Sequence, residues 1–168
     1  MEPVEVYLNY IPEVLAKFGA ALLCGGLIGW ERRYRGKPTG FRTSILVCFG
    51  SVIYVMTTRM LNDVYHINAF DPSRIASQIV VGVGFLGAGA ILHSKNTVIG
   101  LTSAATIWVV AAIGVVIGLG FPLIAITLTF LVLVTLVIIG RFEMKYMSGN
   151  KKNGKKGDPD LEEDEETD

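Results

Sequence analysis

The sequence predicts an all-α membrane protein, a polytopic bundle of about five transmembrane helices with its N-terminus outside and its C-terminus in the cytoplasm. Of the 168 residues, 51% are hydrophobic, and the mean hydropathy is +0.50. Charged residues gather in a few short clusters, and eight of the fifteen acidic residues lie in the last eleven positions. Between these clusters run apolar segments of about 20 residues, the length that crosses a bilayer as a helix.

Five apolar segments reach this length, and each predicts one helix. The third begins with Asp71 and Pro72, an N-cap residue followed by proline at the first helical position. The fifth follows a tight turn that contains Gly120. The predicted spans are residues 14–30, 43–61, 73–92, 102–118 and 122–140.

The basic residues predict the orientation, because Lys and Arg accumulate in the cytoplasmic loops of membrane proteins. They cluster between the first two spans, at Lys95 after the third, and after the fifth. With five spans these three regions share one side, and the other side holds only Arg59 and Arg74, near helix ends. The acidic N-terminus, with Glu2 and Glu5, argues against a cleaved secretory signal.

Two regions follow from this pattern: a transmembrane domain over residues 1–146 and a charged, disordered cytoplasmic tail over 147–168. The simpler interpretation of the tail is a solvated segment without a specific role. Alternatively, its basic part at residues 151–157 rests on anionic lipid, and the acidic run after it competes with that contact.

The third span is rich in glycine, at Gly82, Gly84, Gly87 and Gly89. The first three match G-x-G-x-x-G, but a dinucleotide site needs that motif between a strand and a helix of a soluble domain. Close helix packing explains the glycines instead, because small residues let helices approach each other in lipid. So many glycines also predict a locally irregular helix, which a membrane tolerates beside protein or a wet cavity.

Two further pairs of glycines stand four residues apart, Gly25 with Gly29 and Gly114 with Gly118. Such pairs join helices within one chain or between the chains of a homo-oligomer. Cys24 and Cys48 lie in apolar runs and are expected to behave as small apolar residues, at depths where contact is geometrically allowed.

Polar residues near the helix ends are the candidate functional residues. Asp71, Arg74 and Gln78 are predicted to share one face at the outer mouth of the third helix, with Asp71 as a weak metal candidate. A simple cap plus an interfacial arginine explains them equally well. At the inner ends of the first two helices, Glu31 stands among Arg32, Arg42 and other basic residues that the orientation already explains.

Lys17 lies in the outer end of the first span, four residues after Glu13, in the favourable order for a helix ion pair. Its ammonium is expected to extend to the outer headgroups.

No catalytic motif, cofactor site or nucleic-acid interface is predicted. The chain has no P-loop and no G-x-S-x-G or H-E-x-x-H sequence, and the serines and threonines of the spans have no His or carboxylate at a suitable depth. The acidic residues before the tail stand at or near helix ends, whereas a cation carrier normally holds its ion near the midplane.

Several segments in order resemble the membrane domain of the MgtC/SapB family over roughly residues 13–140. They are GGLIGWER at 25–32, GFRT at 40–43, DPSRIASQIV at 71–80, GVGFLGAG at 82–89 and GLTSAAT at 100–106, with Trp108.

The resemblance implies a multi-pass protein of the bacterial inner membrane, linked to magnesium homeostasis and growth under magnesium limitation. Some relatives are virulence factors needed inside host phagocytes. The resemblance leaves two functions open: modulation of other inner-membrane proteins, or direct transport of magnesium or another cation. Better-known relatives carry a soluble C-terminal domain, and residues 147–168 are too short and charged for one, so the chain is expected to resemble the short branch.

Overall fold

The computed structural model describes residues 3–65, 71–94 and 97–153. Within these ranges it contains five helices and one two-stranded hairpin, which confirms the predicted all-α membrane bundle. The elements are, in chain order, α1 (Pro3–Tyr34), α2 (Phe41–Tyr65), α3 (Pro72–Gly89), β1 (Leu92–Ser94), β2 (Thr97–Ile99), α4 (Leu101–Gly118) and α5 (Pro122–Asn153).

Four of the described helices are long and apolar enough to cross a membrane, and the corresponding segments are Tyr10–Tyr34, Phe41–Tyr65, Leu101–Gly118 and Pro122–Phe142. The fifth helix, α3, has 18 residues and is not among them. Arg74 and Gln78 lower its hydropathy. Its outward side chains are nevertheless apolar, since Val81 is 71% exposed and Phe85 is 83% exposed.

The chain divides into two compact units, residues 1–131 and 132–168. The first unit holds α1 to α4, the hairpin and the start of α5, and the second holds the rest of α5. In the first unit α2 packs on α1 and on α4, and α3 packs on α4.

Glycines bring the backbones of the first unit together. A Cβ atom at Gly29 of α1 would lie 2.8 Å from the Cα of Phe41 in α2. A Cβ atom at Gly114 of α4 would lie 2.5 Å from the carbonyl oxygen of Cys48, and one at Gly118 would lie 2.7 Å from Val55. Both glycine pairs therefore lie at contacts between helices of one chain.

Branched aliphatic side chains, chiefly Ile and Val, fill the core together with Ala and Cys, and many large apolar side chains face outward, as expected for a bundle surrounded by lipid. Cys24 and Cys48 are free and buried, as predicted for small apolar residues. Ser51 and Thr106 are also buried and donate hydrogen bonds to the carbonyls of Val47 and Thr102 one turn earlier. These bonds satisfy the hydroxyls locally, so they lie in the core without partners on other helices.

The third helix is shorter and more regular than predicted. It runs without interruption to Gly89, so the predicted irregularity is wrong, and the helix ends three residues before the predicted residue 92. The chain then forms the hairpin, in which Leu92 pairs with Ile99. Gly100 follows at φ +100°, where a Cβ atom would collide with the carbonyl of Ala90. Lys95 lies outside the described residues.

The last helix is longer than its apolar segment. The sequence predicts an end at residue 140, but α5 continues to Asn153 and includes the first residues of the predicted tail. Good helix formers such as Arg141, Met144 and Lys145 follow the apolar segment, so helix propensity carries α5 beyond it. Residues 154–168, with the acidic run, lie outside the described residues.

The close approach at Gly114 predicts a large difference between two equivalent substitutions. Gly114→Ala should lower the free energy of unfolding by about 1–3 kcal/mol, because the methyl group would push α4 away from α2. Gly19→Ala is the control, since Gly19 has nothing within 4 Å of an added Cβ atom, and it should be neutral or stabilise α1 by up to about 1 kcal/mol. Denaturation of the purified protein in detergent, followed by circular dichroism, measures both values; equal effects would contradict the packing.

Candidate functional site

A cavity of about 930 Å³ lies between α2 and α3. One wall is α2 and the other is α3, and the cavity follows α3 along most of its length. The lining residues are Thr43, Leu46, Val47, Gly50, Ser51, Tyr54 and Thr58 from α2, with Asp71, Arg74, Ile75, Gln78, Ile79, Gly82, Val83 and Leu86 from α3. Asp71, Arg74 and Gln78 therefore lie on one face, as the sequence predicts, and that face borders the cavity.

Asp71 is the N-cap of α3, as predicted. Its carboxylate accepts hydrogen bonds from the backbone N–H of Ser73 at 2.9 Å and from the Ser73 hydroxyl at 2.6 Å. Both bonds lower the pKa of Asp71 below its ordinary value, and the bond from the hydroxyl has the larger effect. The carboxylate therefore remains charged at the mouth of the cavity throughout the neutral pH range.

Arg74 and Gln78 follow Asp71 at successive turns of α3, and both side chains are exposed. Arg74 forms no ion pair with any residue in the described ranges. The mouth of the cavity thus presents a carboxylate and a guanidinium side by side, above walls that become apolar toward Val83 and Leu86.

Lys17 does not extend to the headgroups as predicted. It is 6% exposed, and its ammonium donates a hydrogen bond of 2.7 Å to the carbonyl of Gly118, the last residue of α4. That carbonyl has no partner within its own helix and lies at the negative end of the helix dipole, so it attracts a cation. The predicted ion pair with Glu13 is confirmed at 2.7 Å.

The Lys17 contact belongs to a network at the end of the bundle where α2 and α4 end. Arg59 of α2 donates to the same oxygen of Glu13 at 2.7 Å and lies 4.0 Å from Asp63. The hydroxyl of Tyr10 donates to Asp63 at 2.7 Å. The carboxylates at this end are held by donors from the chain itself, and these contacts join α1, α2 and α4.

A second ionic cluster lies at the opposite ends of α1 and α2. Glu31 is between Arg32 at 2.5 Å and Arg35 at 2.6 Å, and Arg32 is 2% exposed. Glu31, which the orientation alone does not explain, thus balances two arginines of its own helix end. Arg42 is exposed and does not join this cluster within the described residues.

The predicted glycines of α3 have different surroundings. Gly82 borders the cavity, and Gly87 lies 3.7 Å from Ala104 of α4, measured from an added Cβ atom. Gly84 and Gly89 have nothing within 4 Å. Close packing within the chain therefore explains Gly87 at most, in contrast to the glycines of α1 and α4.

The described residues contain no group of three or more His, Cys, Asp or Glu side chains that could hold a metal ion. Asp71 is thus a single carboxylate, and a magnesium ion there would depend largely on its own water molecules.

The family model described as the MgtC family matches residues 18–145, which include α2, α3, α4, about half of α1 and most of α5. The chain belongs to the MgtC family. It is a membrane protein of that family, as the resemblance in its sequence implies.

Three curated relatives illustrate the similarity of this MgtC-family chain. It is 42% identical over 134 residues to a protein of Escherichia coli (strain K12) named "Putative magnesium transporter YhiD", covering 78% of this chain and 62% of the relative. It is 42% identical over 116 residues to Protein SapB of Bacillus subtilis, covering 66% and 49%. It is 38% identical over 139 residues to Protein MgtC of Salmonella typhimurium (strain 14028s), covering 83% and 56%.

The chain therefore spans between about half and three-fifths of the length of the curated relatives that it matches. No solved structure matches it.

Sequence reasoning missed several polar residues of this MgtC-family chain. Arg59 and Asp63 stand four residues apart, the spacing of a helix ion pair, and that signal could have found their contact. Tyr54 and Thr58 of the cavity gave no such signal, because a hydroxyl within an apolar helix does not show which side it faces.

Lys17→Met tests the buried contact. Loss of the bonds to Gly118 and Glu13 should lower the free energy of unfolding by about 1–3 kcal/mol, because both bonds involve a charged group. Lys37→Met, which removes an exposed lysine, should change it by less than about 0.5 kcal/mol. Equal effects of the two substitutions in the same denaturation assay would show that Lys17 is not buried in this contact but extends to the headgroups.

The cap of α3 predicts a pH effect with a definite sign. Since folding lowers the pKa of Asp71, its contribution to stability is complete above the unfolded pKa and is lost as the pH falls through the folded pKa. Ser73→Ala removes the hydroxyl donor and should move the pKa of Asp71 back toward its ordinary value. Carbon-13 NMR titration of labelled aspartate measures the shift.

Ser77→Ala is the control for this titration, because the Ser77 hydroxyl donates to the carbonyl of Arg74 and not to Asp71. An Asp71 pKa that is the same in wild type and Ser73→Ala would show that the hydroxyl bond is absent in solution.

Proposed function

We propose that this protein acts in magnesium homeostasis in the bacterial inner membrane, by modulating other membrane proteins. The MgtC family and the magnesium-related names of relatives support the link to magnesium. The observation that carries the modulating role is the use of the bundle's own carboxylates. Glu13 is bound by Lys17 and Arg59, and Glu31 by Arg32 and Arg35.

A magnesium conduit needs carboxylates that are free to replace some of the ion's water, usually one or two at each site. Glu13 and Glu31 would first have to give up their internal cations, and each separation would leave a poorly solvated charge. Structural use of the carboxylates therefore supports a protein that acts through its surfaces. The outer face of α3, with Val81 and Phe85 exposed, is in this proposal the surface that contacts another membrane protein.

The proposed orientation places the end of the bundle near Asp71 outside the cell and the α1–α2 loop in the cytoplasm. The exposed basic residues of that loop and of the adjoining helix ends, Arg33, Lys37 and Arg42, support it, because short cytoplasmic loops and their flanks retain such residues. Most of the length of α5 beyond its apolar segment would then extend into the cytoplasm.

The second candidate is direct transport of magnesium or another cation. The observation that favours it is the cavity between α2 and α3, which has the Asp71 carboxylate at its mouth. In this case Asp71 would be the first carboxylate that an incoming ion meets, and neutralising it would remove that attraction.

Magnesium flux into proteoliposomes, read with an internal magnesium dye, separates the two candidates. Modulation predicts no flux above that of empty vesicles, from protein whose insertion is verified by protease accessibility. The same chain should restore growth at limiting magnesium to a bacterium that lacks its own family member.

Saturable flux would contradict modulation if it is lost in Asp71→Asn and retained in Asp63→Asn. Asp63 is a suitable control, because it is an exposed carboxylate near the C-terminal end of α2, eight residues before Asp71 in the sequence, and it does not line the cavity. Failure to restore growth, with normal insertion, would contradict both candidates.

A further inference from the structure

The cavity between α2 and α3 has the shape and charge of a lipid site. Its volume of about 930 Å³ lies at the upper end of the range of roughly 300–1,000 Å³ that is typical of small-molecule sites. It follows α3 from Asp71 to Leu86. From Arg74 to Leu86 the helix rises about 18 Å, close to the depth of one leaflet of the hydrocarbon core.

The polarity of the lining changes along this length. At the mouth are Asp71, Arg74 and Gln78 of α3, with Thr58 of α2 opposite them. Deeper in the cavity the walls are formed largely by apolar side chains and by two glycines, Gly50 on α2 and Gly82 on α3. Neither glycine has anything within 4 Å of an added Cβ atom, so the space between the two walls is wide enough for an extended hydrocarbon chain.

The two charges at the mouth have opposite signs. Arg74 forms no ion pair within the described residues, and a guanidinium is well suited to a phosphate group. Asp71 uses its carboxylate on Ser73 but remains partly exposed, so it can still attract a cation. A phosphate alone would be repelled by Asp71, whereas a headgroup with both a phosphate and an ammonium group matches both residues.

We propose that this cavity binds one zwitterionic phospholipid, such as phosphatidylethanolamine. Its phosphate binds Arg74, its ammonium group faces Asp71, and one acyl chain fills the apolar part between Gly50 and Gly82. The lipid completes the contact between α2 and α3, which touch each other less closely than either helix touches α4. This site is independent of the protein on which the chain acts.

Native mass spectrometry of the full chain, released from detergent and titrated with defined lipids, tests the proposal. Phosphatidylethanolamine should bind in a one-to-one ratio and be retained more strongly than phosphatidylglycerol, which lacks the ammonium group, or diacylglycerol, which lacks the whole headgroup. Arg74→Gln should weaken phosphatidylethanolamine binding about tenfold, through loss of a charge-assisted hydrogen bond. Asp71→Asn should remove the preference over phosphatidylglycerol.

Two variants fill the cavity from opposite walls. Gly82→Leu and Gly50→Leu each place a side chain in the space proposed for the acyl chain, and either should abolish the retained lipid. Gly84→Leu is the matched control, since Gly84 lies on the same helix, has nothing within 4 Å and does not line the cavity. It should leave binding unchanged, and circular dichroism verifies that the three variants are equally helical.

Three results would overturn the proposal. If diacylglycerol binds as well as phosphatidylethanolamine in both wild type and Arg74→Gln, the cavity binds acyl chains non-specifically and does not recognise a headgroup. If Gly82→Leu, Gly50→Leu and Gly84→Leu all retain the lipid equally, the lipid lies elsewhere. If wild type carries no lipid but forms a dimer that Gly82→Leu dissociates, a second copy of the chain fills the space.

Discussion

The contact of α4 with the backbone of α2 is the constraint on which the rest of this bundle depends. At Gly114 the two helices are so close that even a methyl group would collide with the carbonyl of Cys48. Gly29 brings α1 close to the N-terminal end of α2, where an added Cβ atom would lie 2.8 Å from the Cα of Phe41. Hydrophobic exclusion cannot drive helices together in lipid, so this close van der Waals contact at the glycines holds the first unit together.

Once α1, α2 and α4 are this close, their polar ends meet. Lys17 reaches the last carbonyl of α4 only because α4 ends beside α1, and Arg59 reaches Glu13 only because α2 lies along α1. The charges at the helix ends are therefore used to join helices. In a medium where an isolated charge is expensive, this mutual neutralisation is also what makes the buried lysine tolerable.

The third helix is different in each of these respects. It packs on α4 but leaves a cavity toward α2, three of its four central glycines meet no neighbour within 4 Å, and the arginine near its start has no ion pair within the described chain. These features are what a helix shows when part of its contact surface is completed by something other than its own chain. The modulating role and the lipid site both draw on this property of α3, through its outer face and its inner face respectively.

Much of the architecture could be predicted from the sequence. Apolar segments of membrane-spanning length predicted the number of helices, and Asp71 with Pro72 predicted the start of α3, because a helix N-terminus depends on local chemistry. The common face of Asp71, Arg74 and Gln78 followed from helix periodicity alone. The ends of helices were harder to predict. Helix α5 continues after its apolar residues end, because the residues that follow have high helix propensity. Helix α3 is followed by a hairpin, for which the sequence contains no strong turn signal.

The class of this protein, its helices and the motifs that place it in the MgtC family could all be read from the order of its residues. Which groups meet emerged from the packing of the helices. It showed that the glycines of α1 and α4 serve contacts inside the chain, that Lys17 caps another helix, and that the polar face of α3 borders a cavity. The physical reason is that spacing along a helix defines a face, while the partner of that face depends on how residues distant in the sequence pack around it.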